Sequence, residues 1–455
     1  DFTASLAAAK AWARGRMSER QGETRAAAEA YQRAIEVDPA FGHALVSLGF
    51  LHYRRGEEAA GLATWDLAQG TLDRLNDRER LKALGVYRLE VEGDAAAALA
   101  TFSELLEKYP AEVAIRSQVA RASFRQANFE RALAESDRVL QVYTQYRSER
   151  LRTSCYARHA GDLERAIAEA EAVLQIDPQD SEALFQLALA HAANGQIAQA
   201  WGAYKRIKDD GPFAAEAALG LSDLDVYEGR FVRAKEVLPG LISHFAAEQQ
   251  HRMAALNGLV LADALLFEGD TAAAATAAQH AIELWSDDRA RLPAALILVE
   301  SGKSGDALGI AEKLQTSSRN TDRAYGLAIS AAQLRREGRY IEAIELLGMA
   351  LETADLWRIH FELGRVYAEA EMFAEAFVEL GACKKLHGQA AAMFLDDMPT
   401  IRRASECHYW SGVVSDALGM SAAAADSYRD FIALRPEGGT HADDAAMRLS
   451  RLEGS

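Results

Sequence analysis

Four side chains near the C-terminal end have the types and spacing to hold a metal. Cys383 and His387 lie four residues apart, on one face of a helix, and Cys407 and His408 follow beyond an intervening segment. Two cysteines and two histidines would satisfy tetrahedral zinc. Cys155 and His159 repeat the four-residue spacing elsewhere without partners. Gly302-Lys303-Ser304 has the ending of a phosphate-binding loop, but Ile297 stands where the first glycine of that motif is required. Asp396-Asp397 could be a pair of acid/base carboxylates. Neighbours in sequence do not face each other across a cleft, however, and with Pro399 following they fit better as helix-capping acceptors. Serines, histidines and aspartates are otherwise scattered with no nucleophile elbow. No catalytic constellation emerges, and the chain is expected to be non-enzymatic, with no metal and no cofactor.

The elements that position these residues follow from composition and period. The 455 residues carry 50 Lys+Arg against 67 Asp+Glu, a formal net charge of −17. That balance argues against non-specific nucleic-acid binding and against anionic lipid surfaces, both of which need an excess of cations. Three cysteines are too few for a disulfide framework. No run approaches the ~20 apolar residues of a membrane span. The chain opens on Asp1 rather than Met, which points to a fragment or a processed product. Eight prolines are scarce for this length, while alanine is abundant, so the chain should be mostly helix with short breaks.

The breaks recur. Gly22, Gly56, Gly93, Gly161, Gly195, Gly229, Gly269, Gly302, Gly338 and Gly419 are each followed, five residues on, by a small residue: Ala27, Gly61, Ala98, Ala166, Ala200, Ala234, Ala274, Ala307, Ala343 and Ala424. Two further units keep the alanine and replace the glycine, as Ala127/Ala132 and Glu371/Ala376. The commonest step, five of eleven, is 34 residues. Tyr31, Trp65, Phe102, Tyr204 and Tyr428 follow the small residue by four, and Pro39, Pro110, Pro178, Pro212 and Pro436 close units.

This phrase resembles the tetratricopeptide (TPR) repeat. The resemblance implies an all-α, right-handed superhelical solenoid of about twelve helix-turn-helix units over roughly 8–438. A single domain of residues 1–455 is expected, with insertions near 70–82, 240–254 and 384–404 and a capping helix at 440–453. Small residues allow each helix pair to cross closely, the turn glycine takes a left-handed conformation, and stacked neighbours bury one continuous core. Cys383 falls at a repeat position that wants a small buried residue, which a free cysteine supplies.

In this family the first helix of each unit lines a concave groove. The resemblance therefore places Trp12, Arg16, Arg20, Phe50, Arg54, Tyr87, Arg121, Phe124, Arg125, Arg152 and Arg158 on that surface, together with His43 and His159. Arginines interleaved with aromatics suit acidic or extended peptides. The later units contribute a mixed lining that includes Asp223, Asp263, Arg335, Arg365, Tyr409 and Trp410. A chaperone-tail clamp is not supported, because Trp12, Arg16, Ser47 and Phe50 stand where its lysines and asparagines would be.

Two stretches also resemble the repeat region downstream of the catalytic domain in bacterial eukaryotic-like serine/threonine kinases. One is Asn76-Asp77-Arg78-Glu79-Arg80-Leu81 with Gly93-Asp94, Ala98 and Tyr109-Pro110. The other is Met393-Phe394-Leu395-Asp396-Asp397-Met398-Pro399-Thr400 with Tyr409-Trp410-Ser411-Gly412 and Ser427-Tyr428-Arg429-Asp430-Phe431. No kinase signature is present in the chain itself. The resulting expectation is an interaction scaffold for a protein or peptide partner, as the regulatory extension of such a kinase. The alternatives are a free-standing envelope or secretion scaffold and a ligand-sensing domain of a transcription regulator. The compartment and the oligomeric state stay open.

Overall fold

A computed structural model describes residues 3–20, 23–54, 57–393 and 398–454; the side chains of Arg20, Tyr53, Arg54 and Glu58 lie outside the described set. Among the described residues there are twenty-six α-helices and two short 3-10 segments, and no strand. The architecture is all-α, built of antiparallel helix pairs. None of the helices is long and apolar enough to cross a membrane.

The period in the sequence is the period of the helix pairs. At the turn inside each pair, Gly93, Gly161, Gly195, Gly229, Gly269, Gly302, Gly338 and Gly419 all have positive φ, between 67° and 93°. Gly22 and Gly56 fall outside the described residues. The two units without glycine keep the conformation: Ala127 and Glu371 sit at φ 58° and 59°, a region that disfavours a Cβ. The second helix often starts on an aspartate or asparagine acceptor. Asp94, Asn128, Asp162 and Asp270 each accept the backbone N–H three residues on.

Packing explains the small residues. Each of the eleven alanines five residues past the turn is at most 1% exposed. A Cβ on Gly15 would lie 2.5 Å from Tyr31, one on Gly49 2.9 Å from Trp65 and one on Gly412 2.6 Å from Tyr428. The large ring of the second helix thus occupies the volume that the first helix leaves empty.

Contacts divide the chain into two compact units, Asp1–Ser123 and Phe124–Ser455. The first unit comprises the pairs Leu6–Arg20/Thr24–Val37, Gly42–Arg54/Glu58–Gln69 and Asp77–Glu90/Ala95–Lys108, and most of helix Val113–Arg125. Among its described residues the core comprises four modest apolar clusters. Residues 70–82 form the 3-10 segment Leu72–Arg74 and then enter helix Asp77–Glu90.

The second unit holds the remaining pairs. Residues 240–254 go mainly into long helices, Phe231–Ala247 and His251–Glu268. Residues 387–404 behave differently. Among those described, Gly388–Ala392 and Met398–Ala404 are almost wholly buried, and they join one apolar core to residues 151–227 on one side and 357–445 on the other. Close to the C-terminus, Thr440 N–H donates to Phe267 O at 2.6 Å and Val232 N–H to Glu437 Oε2 at 2.8 Å. Arg435 lies over the rings of Phe231, Phe267 and Phe431 at 5.0–5.5 Å. Helix Ala442–Glu453 ends the unit and buries Ala445.

Candidate interaction surfaces

In the first unit the expected lining residues come together in two aromatic groups. Trp12, on helix Leu6–Arg20, donates its indole N–H to Ser47 Oγ at 3.1 Å. Its ring centroid lies 6.2 Å from Phe41 and 5.9 Å, edge-on, from His43. Burial lowers the His43 pKa, so this imidazole is neutral at pH 7. The exposed Arg16 guanidinium lies 5.8 Å over the Trp12 ring, one helical turn away. The second group is Phe50, Trp65 and Tyr87, with centroids 4.8 and 4.9 Å apart. Phe50 and Tyr87 are half-buried, while Trp65 is interior. Arg121 does not stand alone: it meets Glu90 at 2.6 Å and donates to Gln118 Oε1 at 3.1 Å. The side chains of Arg20 and Arg54 lie outside the described residues.

The expected lining residues of the second unit have other fates. Phe124 packs against Phe129, Tyr156 and His159 at 4.8–5.4 Å, and Arg125 beside it is half-buried. Arg152 reaches the buried Glu149 at 3.3 Å. Arg158 corrects the expectation of an accessible cation. It is 1% exposed, and its guanidinium donates to Gly388 O at 3.2 Å and to Cys155 Sγ at 3.7 Å. His159 is interior as well, and burial next to Arg158 drops its pKa to about 3.

The reason is residues 387–393 and 398–404, which occupy the face that Arg158 was expected to present. His387 Nδ1 lies 2.9 Å from Ala193 O. Gln389 donates to His159 O at 3.3 Å and accepts from Trp357 N–H at 2.8 Å. Tyr325 donates to Met393 O at 3.1 Å. Asp223 accepts from Ile401 N–H at 3.0 Å and from Arg402 Nη1 at 2.7 Å; Asp263 accepts from Arg402 Nε at 2.8 Å and from Arg403 Nε at 3.0 Å. Arg402 is fully buried, a tolerable arrangement only because two carboxylates and the Pro399 carbonyl engage its Nε and Nη1. Gly388 is required sterically, since any Cβ there would overlap Arg158 O.

Beside this segment lies a cavity of about 270 Å³, whose polar walls include Glu300, Arg358, Arg365, Arg403, Glu406 and His441. Glu300 meets Arg335 at 2.6 Å and Arg365 at 3.1 Å. Burial alone would raise the Glu300 carboxyl, but the Arg365 and Arg335 guanidiniums outweigh it and hold the pKa at about 2. His441 stacks on Tyr409 at 4.1 Å and has a left-handed backbone, φ 67°.

Residue spacing pointed to Asp223 and Asp263 as lining but missed what they bind. The available signal was an insertion carrying Arg402-Arg403 opposite two aspartates at equivalent places of neighbouring units. The zinc-type set is not gathered into one site. Cys383 and Cys407 are adjacent, whereas His387 points to Ala193 O and His408 lies 3.6 Å from Asp430. Among the described residues no group of three or more His, Cys, Asp or Glu could hold a metal ion. Gly302-Lys303-Ser304 forms an ordinary repeat turn, with Gly302 at φ 77°. Asp396 and Asp397 lie outside the described residues.

Comparison with known proteins bears on the repeats. No curated protein sequence matches the chain. Among solved structures, a tetratricopeptide repeat protein from Parabacteroides merdae is similar at 16% identity, covering 64% of this chain and 98% of that one, with a TM-score of 0.35. The Cut9–Hcn1 hetero-tetramer of APC/C is similar at 11% identity over 98% of this chain and 90% of that one, with a TM-score of 0.42. Tetratricopeptide-repeat family models match residues 4–71 and 157–224. One matched stretch lies in each compact unit, and these two stretches match the tetratricopeptide repeat.

Proposed function

We propose that the chain is a non-catalytic protein-interaction scaffold whose first unit takes an extended or helical peptide with acidic and aromatic or aliphatic side chains. The observation that carries this is a contrast within one repeat type. In the second unit Arg158, Asp223 and Asp263, expected on the groove lining, are covered by residues 387–393 and 398–404 of the same chain. In the first unit the exposed Arg16 over Trp12, with Phe50 and Tyr87 half-buried nearby, offers cation and ring to a partner. A displayed peptide library screened against the full chain tests it. Enriched peptides should be acidic, and Arg16→Glu should weaken them at least ~10-fold while leaving the thermal melt unchanged. Binders indifferent to both Arg16→Glu and Trp12→Ala would refute the assignment.

The finer proposal, a regulatory extension of a bacterial serine/threonine kinase, rests on the short phrases quoted above. Within them, Met398 and Thr400 are interior residues of the second unit, so those words specify packing and are compatible with any partner. A kinase domain encoded directly upstream would support it; a bare signal peptide there would favour the envelope scaffold. One observation favours ligand sensing instead, namely the cavity beside Glu300 and Arg358, and a thermal-shift screen of small polar metabolites tests that reading.

A further inference from the structure

We infer that Cys383 and Cys407 form a disulfide that fastens the interior segment of the second unit at both ends. Cys383 lies on helix Phe373–Lys385 and Cys407 on helix Ser405–Ala417, two helices packed against each other. Their sulfur atoms are 2.9 Å apart, closer than two unbonded sulfurs comfortably sit and within a small side-chain rotation of the ~2.05 Å bond. Both are buried, at 0% and 4% exposure. The neighbouring histidines are engaged elsewhere, as described. Cys155 is occupied differently, against Arg158 and His159.

The placement gives the bond a purpose. Residues 384–406 between the two cysteines contain every segment residue that is buried against Asp223, Asp263, His159 and Trp357. Joining 383 to 407 closes that stretch into a ring whose two ends leave the interior side by side. In the unfolded chain the same link restricts the stretch to compact conformations, which favours its seating.

The chemistry requires an oxidant, for which a low-molecular-weight disulfide such as oxidised glutathione suffices. One cysteine thiolate attacks a sulfur of that disulfide and expels one glutathione thiolate, leaving a mixed disulfide. The second cysteine thiolate attacks the protein-side sulfur, forms the Cys383–Cys407 bond and expels the second glutathione. Two protein thiols are oxidised, one glutathione disulfide is reduced, and the two thiol protons end on two glutathione molecules. Burial pushes the Cys383 thiol well above its ordinary range. Exchange therefore runs while the unit is closing, and the finished bond is shielded from reductant.

The test uses the unaltered full chain and is independent of any binding partner. The protein is refolded in oxidised glutathione, quenched with N-ethylmaleimide, denatured without reductant, and its thiols are counted and mapped by mass spectrometry. One free thiol, at Cys155, and a linked peptide pair containing Cys383 and Cys407 are expected, with dithiothreitol restoring all three thiols. Three alkylated cysteines, or a cross-link that includes Cys155, would overturn the inference. The Cys155→Ser chain should give the same linked pair and no free thiol. Any free Cys383 or Cys407 in that variant counts against the bond.

Discussion

Replacing Glu300 by Gln removes the charge at the centre of a buried network while keeping its shape and an acceptor oxygen. Glu300 faces Arg335 at 2.6 Å and Arg365 at 3.1 Å, and these arginines also share Glu369. Its pKa of about 2, against an ordinary 4.5, measures how far folding favours the ionised form. A carboxyl held that far below its ordinary value is worth about 3 kcal/mol of folding stability, since each tenfold change in proton affinity is worth ~1.4 kcal/mol. The sign follows from proton uptake. The folded carboxyl holds its proton less tightly than the unfolded one, so the contribution is complete above pH ~4.5 and drains away as the pH falls toward 2. Over the accessible window from pH 5 to 3.5 the loss amounts to ~1 kcal/mol. The assay is urea denaturation of wild type and Glu300→Gln at several pH values, followed by fluorescence. Wild type should lose about 1 kcal/mol more than the variant across that window, and the variant should be less stable at pH 7. Parallel profiles for the two proteins would show that the arginines do not hold Glu300 ionised and would refute the linkage.

Three other outcomes can be checked. Burial disfavours a charged His360, but Asp355 at 2.7 Å and Glu379 at 2.6 Å outweigh it and raise its pKa to about 9. The stability it supplies is complete below pH ~6.5 and is lost as pH rises toward 9, so His360→Gln should flatten the alkaline limb of a melting-temperature profile. Ala127→Gly and Glu371→Gly should each stabilise by about 0.5 kcal/mol in denaturant titrations, because relief of a left-handed Cβ exceeds the added chain entropy of glycine. Gly388→Ala should cost about 2 kcal/mol or more by the same titration, since its methyl has no room beside Arg158 O; an unchanged midpoint would mean the segment is not seated there.

The repeat was legible in the residues because each of its requirements is local. A left-handed turn calls for glycine, a close helix crossing calls for alanine, and both recur at a fixed spacing. Ala127 and Glu371 show how far this reaches, since the period assigned them the turn and the backbone adopts it without glycine. What covers a helix face is a different kind of question. Arg158 occupies a lining position by the period, yet it is buried by Gly388, 230 residues away. Asp223 and Asp263 likewise read as mixed lining, and only Arg402, 179 and 139 residues away, explains them. Spacing within a unit carries no information about such distant pairings. The aromatic groups around Trp12 and Trp65 lie between these cases, because their members belong to adjacent units.

The interior segment also bears on how the chain is made. In an ordinary solenoid each unit leans only on its neighbours, so structure can consolidate in step with synthesis. Here Asp223, Asp263 and Arg158 wait for residues 388–393 and 398–404, which leave the ribosome only after eleven of the twelve helix pairs have been translated. Until then two aspartates and an arginine that end up dry must stay hydrated. The second unit is consequently expected to complete in one late, high-contact-order step, whereas Asp1–Ser123 has its own clusters and can settle early. A truncation before residue 388 would therefore unsettle helices far upstream of the cut, behaviour that belongs to a globular domain more than to a linear array.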